Sequence, residues 1–244
     1  YLRGDLAPAT EQAVLDWFVE RLQQDDPAGF ERAGETLHCR RTGESIDLHS
    51  GAPYADVYDA LCMQVPEDVC VTQLSETRDW LAALHLCAPN HWAAADKINQ
   101  DFAATHAPVA GMEKLNQIYR PILDGVIRNG PFVRFAWGLA TDDQLNHHPE
   151  PPPGANPREW QGRDQITYVG ASGQLFVRVE RQCLIGLPAV NAFVFTIRTY
   201  FLETMELSGE ERAALREAVE GMNQATLEYK GLVGMREGVL AHLR

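Results

Sequence analysis

The stretch Gln174-Leu-Phe-Val-Arg-Val-Glu-Arg-Gln-Cys-Leu184, followed after a turn by Ala192-Phe-Val-Phe-Thr-Ile-Arg-Thr-Tyr-Phe201, decides the fold. Both segments are rich in β-branched and aromatic residues and too short for independent helices, so they read as strands. Gly186-Leu-Pro-Ala-Val-Asn191 supplies the connection, and Phe132-Val-Arg-Phe-Ala-Trp-Gly-Leu139 reads as a third strand. Together they predict one antiparallel sheet. Gly170-Ala-Ser-Gly173 is expected as a further turn, and Asn146-His-His-Pro-Glu-Pro-Pro-Pro-Gly-Ala-Asn-Pro157 as a surface loop of extended, proline-rich backbone.

Period two places Leu175, Val177, Val179, Arg181 and Cys183 on one face of the strand, with Phe176, Arg178, Glu180 and Gln182 on the other. Arg181 therefore shares the apolar side. A guanidinium cannot shed its charge, so burial there demands an anion from the protein, a cofactor or a substrate. Arg198 sits in the same position in its strand, beside Val194, Thr196 and Tyr200. The alternative is a surface-facing strand whose arginines pair with Glu180 or another acid.

Helices surround this sheet in the sequence. Thr10 is expected to cap a helix over Glu11–Gln24, ended by Pro27; a short hairpin turning at Gly43 follows within 35–47. Tyr54–Cys62 and Thr77–Leu86 read as helical or mixed, with an extended apolar run from Val65 to Leu74 between them. Lys114–Ile127 carries Leu115, Ile118, Ile122 and Val126 at helical spacing, and Asn129-Gly130-Pro131 stops it. Ser208-Gly-Glu-Glu211 is a capping box that opens two C-terminal helices, about 209–224 and 226–242. Helices, then sheet, then helices give an α+β fold, organised over 1–244 as a single domain with a core of about 54–205 and C-terminal helices over 208–242.

Ala88-Pro-Asn-His-Trp-Ala-Ala-Ala-Asp-Lys-Ile-Asn-Gln-Asp-Phe-Ala-Ala-Thr-His-Ala-Pro-Val-Ala-Gly111 predicts a helix over Trp92–Thr105 with Asn90 as its cap. Ile98, Phe102 and His106 would then share a face, and Pro108 would close the last turn. Neutral imidazole is a ligand for iron and zinc, yet one histidine on an apolar face is more often a satisfied core residue than a ligand.

A net charge of −13, from 34 acidic against 21 basic residues, opposes nucleic acid or an anionic membrane as partner. Cys39, Cys62, Cys70, Cys87 and Cys183 form no C-x-x-C pair and read as reduced, mostly buried thiols. The segment beginning Tyr1-Leu-Arg-Gly-Asp has no secretory core and no apolar run spans a membrane, so the expected address is cytoplasmic. The G-x-G-x-x-G, Walker, G-x-S-x-G and H-E-x-x-H motifs are absent. His147-His148 is expected in solvent, and His38, His49, His85, His91 and His242 have no partner spacing that marks a site.

Ala88–Ile98, Thr105-His-Ala-Pro-Val-Ala-Gly111, Arg178-Val-Glu-Arg-Gln-Cys-Leu-Ile-Gly-Leu-Pro188 and Phe195-Thr-Ile-Arg-Thr-Tyr200 together resemble the family of the haem-dependent oxidative N-demethylase α subunit. With Val65-Pro-Glu-Asp-Val69 and Tyr229-Lys-Gly231 the resemblance covers roughly residues 54–235. It implies a PAS-like antiparallel sheet flanked by helices and holding haem b, with His106 as the iron ligand and O2 as co-substrate. Arg178, Arg181, Arg198, Trp92 and Lys97 are the implied cofactor neighbours, the strand arginines pairing with haem propionates or an acidic substrate group. Glu180 and Arg181 are the implied catalytic pair, with Glu180 either pairing an arginine or orienting a substrate amine.

The implied activity is monooxygenation of an amine, at nitrogen or at the adjacent carbon, with electrons from a separate NAD(P)H-dependent flavin or iron–sulfur reductase. Neither the amine, the partner nor any oligomeric state is readable. A non-catalytic PAS-like haem sensor or binding module is the alternative, and loss of haem is a third reading. Asn90 and His91 before Trp92, Ala110 for the family's second proline and Ala136 before Trp137 depart from the family pattern. His91 is either a distal group or a solvent-facing loop residue.

Overall fold

A computed structural model describes residues 1–156 and 173–244. The last residue of the proline-rich loop and the first three of the Gly170–Gly173 turn lie outside the described residues. Among the described residues the fold is α+β, built on a six-stranded antiparallel sheet in the order β1-β6-β5-β9-β8-β7. These strands are β1 (Leu2–Arg3), β5 (Asp68–Leu74), β6 (Asp79–His85), β7 (Phe132–Ala140), β8 (Phe176–Leu187) and β9 (Ala192–Glu203). A three-stranded sheet of β2 (Phe30–Ala33), β3 (Thr36–Cys39) and β4 (Glu44–Asp47) stands beside it, its β3–β4 turn using Gly43 at φ +75°.

The β8–β9 hairpin forms because Pro188–Val190 tighten the turn and Asn191, at φ 50°, takes the left-handed position that asparagine tolerates. Its register, with Arg181 opposite Arg198 and Glu180 opposite Thr199, assigns every side chain of the two strands to a face. One face of the sheet carries Val69, Val71, Val177 and Val194. Two separate layers cover it: α1 (Pro8–Asp25), α2 (Val57–Cys62) and the small sheet at one end, and the C-terminal helices at the other. The opposite face carries Cys70, Phe193, Phe195, Arg178, Glu180 and Gln182. It is covered by α3 (Phe102–His106), α4 (Leu115–Asn129) and the segment 92–98.

Several expectations change. Helix α1 starts at Pro8, the favoured first helical residue, and Thr10 is buried inside it rather than capping it. Within Thr77–Leu86, Asp79–His85 form strand β6, between the short edge strand β1 and β5. On α4 the buried residues are Leu123, Val126 and Ile127, while Ile118 and Ile122 are exposed; non-helical backbone at Ile118 rotates the apolar stripe. The Ser208 capping box is present and opens α5 (Gly209–Glu220). The second C-terminal helix is two, α6 (Gln224–Tyr229) and α7 (Arg236–His242), separated where Gly231 adopts φ +67°.

The largest correction concerns the helix expected over Trp92–Thr105. Only Ala94–Asp96 and Phe102–His106 are helical. Between them the backbone pairs with β6: Asn99 N–H donates to the Leu81 carbonyl at 2.8 Å and Leu81 N–H to Gln100 at 2.9 Å. Asn99 has φ +62°, and Asp101 starts α3 by accepting from Ala104 N–H at 2.7 Å. Ile98 consequently packs with Leu84 and Ala94, away from Phe102. Among the described residues no helix is long and apolar enough to cross a membrane. All five cysteines are free thiols, three of them buried.

Candidate functional site

A cavity of about 890 Å³ opens between the β7–β8 edge of the sheet, the segment 90–97, the end of α3 and the Tyr229–Gly231 bend. That size suits a cofactor or drug-sized ligand. Its floor is β7, where Ala136, Gly138 and Ala140 alternate onto the cavity side. A methyl group built on Gly138 would meet nothing within 4 Å. Three small residues in a row keep the strand surface flat and open, which admits a planar ligand close to the backbone.

Arg178 is the buried cation of this floor, 4% exposed. Its Nη1 pairs with the Glu180 carboxylate, and Nη2 donates to the Ala88 carbonyl at 2.8 Å and to Thr199 Oγ1 at 3.0 Å. Gln182 donates to the second Glu180 oxygen at 2.8 Å. Arg178 Nε is buried without a partner among the described residues. An orphan donor on a fully buried guanidinium is costly unless an acceptor of a ligand meets it.

The loop that accepts from Arg178 is held by Asp68, which is 2% exposed and accepts from Cys87 N–H at 2.5 Å and Ala88 N–H at 2.7 Å. Burial lifts its carboxyl from 3.8 to about 6, against the lowering by those N–H groups and Arg178. The folded chain therefore holds this proton more tightly than the unfolded one. The stability it contributes is complete below about pH 4 and is lost as pH rises through about 6. Relative to Asp68→Asn, the wild type is expected to lose roughly 3 kcal/mol between pH 4 and pH 7. Urea unfolding of both proteins at the two pH values reads this, and a constant difference contradicts it.

His106 occupies the last turn of α3, whose Ala104 and Thr105, with Pro108 and Val109 just beyond, line the cavity. Its ring stacks on Phe102 at 4.1 Å between centroids, and Phe102 stacks on Tyr119 at 5.1 Å. Nδ1 lies 2.8 Å from the Phe102 carbonyl. A carbonyl only accepts, so Nδ1 carries the proton and Nε2 presents its lone pair, with no hydrogen-bond partner among the described residues. Burial lowers the His106 pKa and keeps the ring neutral. Asp79, 3% exposed, accepts from Phe102 N–H at 2.7 Å and Tyr119 Oη at 2.8 Å, which fixes the middle residue and the Tyr119 end of the aromatic stack.

Lys97 and Trp92 also line the cavity, the ammonium 4.7 Å from the indole centroid and 3.3 Å from the Thr105 carbonyl. Burial lowers the Lys97 pKa. From the other side Lys230 donates to the Trp137 carbonyl at 2.5 Å, and burial lowers its pKa too. Lys230 lies in the Tyr229-Lys-Gly231 stretch that carries part of the family resemblance, but nothing in the sequence assigned it a role in the site.

Of the residues singled out from the sequence, the cavity gathers Trp92, Lys97, Arg178 and Glu180, with His106 on the turn that borders it. Arg181 and Arg198 are elsewhere. They face each other on the opposite side of the sheet, in the strip between its two covering layers. Arg181 is exposed and Arg198 lies 5.6 Å from the Tyr200 ring. The demand for a buried anion at Arg181 falls away because water solvates it. The fully buried guanidinium is Arg178, on the face that looked polar, while Arg198 is half-buried with Nη1 buried and without a partner among the described residues. His147, expected in solvent, is 5% exposed and lines the cavity with His91 and Asp142.

These residues fit a haem. A flat strand floor and three cations around one cavity supply a stacking surface and partners for carboxylates, and His106, on the turn beside the cavity though not itself lining it, offers an axial ligand of fixed tautomer. Among the described residues no group of three or more His, Cys, Asp or Glu is placed to hold a bare metal ion. The cavity stands on the antiparallel sheet of an α+β protein. The family model described as haem-dependent oxidative N-demethylase, alpha subunit-like, matches residues 5–240, and the chain belongs to that family.

Proposed function

We propose that this protein is a haem b monooxygenase that oxidises an amine substrate on a PAS-like sheet, in the cytoplasm, with electrons from a partner reductase. The observation that carries the reading is His106, whose Nδ1 is committed to the Phe102 carbonyl beside a flat-floored, cation-lined cavity. His106 would hold iron through Nε2. Lys97 and Lys230, with Arg178 behind them, would hold the propionates, and Ala136, Gly138 and Ala140 would let the ring lie against the strand. When bound, haem supplies the one-electron and dioxygen chemistry that side chains lack.

The protein's own part is orientation and exclusion of water. Glu180 and Gln182 fix Arg178, and Asp68 fixes the loop whose carbonyl Arg178 grips. For an N-methyl amine, amine, O2, two electrons and two protons give the demethylated amine, formaldehyde and water. Nitrogen oxidation of a primary amine draws on the same inputs. The polar lining, with Asn90, Asp96, Asp142 and Glu180, supports an enzyme that anchors a substrate rather than a sensor with an apolar distal side. Reduced, haem-loaded protein mixed with O2 and a panel of N-methyl and primary amines is expected to consume O2 with matching formaldehyde or N-oxygenated product. Full uncoupling across the panel overturns the enzyme reading.

A further inference from the structure

Strand β7, which floors the cavity, is also an edge of the six-stranded sheet, and its two halves differ. Lys230 covers the second half by donating to the Trp137 carbonyl. That carbonyl points away from β8, so by the alternation of an antiparallel ladder the backbone groups of Val133 and Phe135 point outward too. Their N–H and C=O groups have no hydrogen-bond partner among the described residues. The side chains there are apolar and uncovered, with Phe132 44%, Val133 58% and Phe135 68% exposed.

An open sheet edge is a template for another strand, and proteins blunt it with a bulge, a lysine, a proline or a covering segment. Over 132–136 β7 has none of these among the described residues. Its register with β8 runs without a shift, and its single charge, Arg134, is turned inward. Arg134 Nε donates to Gln182 at 2.7 Å and the guanidinium lies 5.9 Å from the Phe195 ring, over β8 and β9. The outward pair Val133 and Phe135 is symmetric about Arg134. A two-fold axis there sets Val133 opposite the partner's Phe135, and Phe135 opposite the partner's Val133. Four backbone hydrogen bonds and two aromatic–β-branched pairs then close across the strands. Each Arg134 guanidinium stays over its own sheet. Arg181, beside Phe135 in register, ends at least roughly 14 Å from its counterpart, three strand spacings away and beyond the screening length of about 8 Å.

The geometry points to a homodimer joined through the open half of β7, in which 132–136 pairs antiparallel with the same segment of a second copy about a two-fold axis at Arg134. A second copy is the occupant because the segment is complementary to itself in backbone donors and acceptors, in side-chain size and in the inward turn of its only charge. The pairing stops where Lys230 takes the Trp137 carbonyl. It joins two six-stranded sheets into one and sets the cavity floor of Ala136, Gly138 and Ala140 beside the interface. It stands independently of the haem reading.

Sedimentation equilibrium of the purified chain, with and without haem, tests this. The wild type is expected to be a dimer at hundred-micromolar concentration. Phe135→Lys, which sets two ammonium groups into the contact, and Val133→Pro, which deletes an outward N–H and no bond to β8, should each weaken dimerisation at least tenfold. Leu202→Lys, at a residue 47% exposed on β9 away from the edge, should stay within threefold. Phe135 is mostly exposed, so Phe135→Lys keeps the test decisive if Val133→Pro does not fold. Hydrogen exchange at the Val133 and Phe135 amides should slow at least tenfold between micromolar and hundred-micromolar protein. A monomeric wild type at the higher concentration, a dimer that Phe135→Lys leaves intact, or exchange at these two amides that ignores concentration overturns the inference.

Discussion

His106→Ala is expected to lose stable haem binding, with affinity falling by more than about 100-fold, beyond the 10–100-fold that loss of an outer partner of a metal ligand costs. The Phe102 carbonyl and the Phe102–Tyr119 stack fix the imidazole plane, so the wild-type ligand needs little reorganisation to bind iron. The cavity walls do not depend on this side chain, and free imidazole at millimolar concentration should restore a haem spectrum in the variant. An unchanged spectrum in His106→Ala without imidazole refutes the assignment. The pH dependence has a definite sign. Burial lowers the His106 pKa below the unfolded value of about 6.5, so the neutral, ligating ring is favoured in the folded chain. Its contribution is present above that value and is lost as pH falls below it. Haem retention is therefore flat from pH 8 down through about 6.5 and declines only in more acidic solution, below the lowered pKa of the folded ring.

Arg178→Met carries the largest expected loss of stability. The guanidinium is 4% exposed, and its removal leaves Glu180, with a side chain 19% exposed, facing the cavity without its cation, while the Ala88 carbonyl and Thr199 lose a donor. Breaking a buried pair from one side costs about 3–5 kcal/mol, because the surviving charge is uncompensated. Urea unfolding of the haem-free protein measures this directly. The double variant Arg178→Met with Glu180→Gln should recover part of the loss, since the stranded charge is gone. A single variant within about 1 kcal/mol of wild type, or a double variant less stable than the single, contradicts the account of this network.

What the sequence made legible was local. The β8 and β9 strands announce themselves by β-branched and aromatic content, Asn191 by its turn, and Ser208 by a capping box that the structure reproduces. The face of each residue in β8 followed correctly from period two. Which face looks onto the cavity did not, because that depends on layers contributed by residues far away in the chain. Arg181, on the side of the valines, lies between two covering layers and meets water; Arg178, among polar neighbours, lies under the 88–92 loop.

The segment 92–105 failed for a similar reason. Its residues favour helix, but Asn99 and Gln100 exchange backbone hydrogen bonds with Leu81, and that non-local pairing outweighs propensity. His106 kept its place relative to Phe102 because α3 still spans Phe102–His106. His147 was hidden by its setting, since a proline-rich loop gives no sign of a parallel bridge to Pro89. The alternation Ala136-x-Gly138-x-Ala140, opposite Arg178 and Glu180 in register, was the signal that could have located the floor.

The central claim is that this chain binds haem through His106, and titration of the purified haem-free protein with haemin, followed by absorption, tests it most directly. The account predicts a Soret band that grows linearly and saturates at one haem per chain, with the spectrum of a histidine-ligated iron. A titration that never departs from the spectrum of free haemin contradicts it.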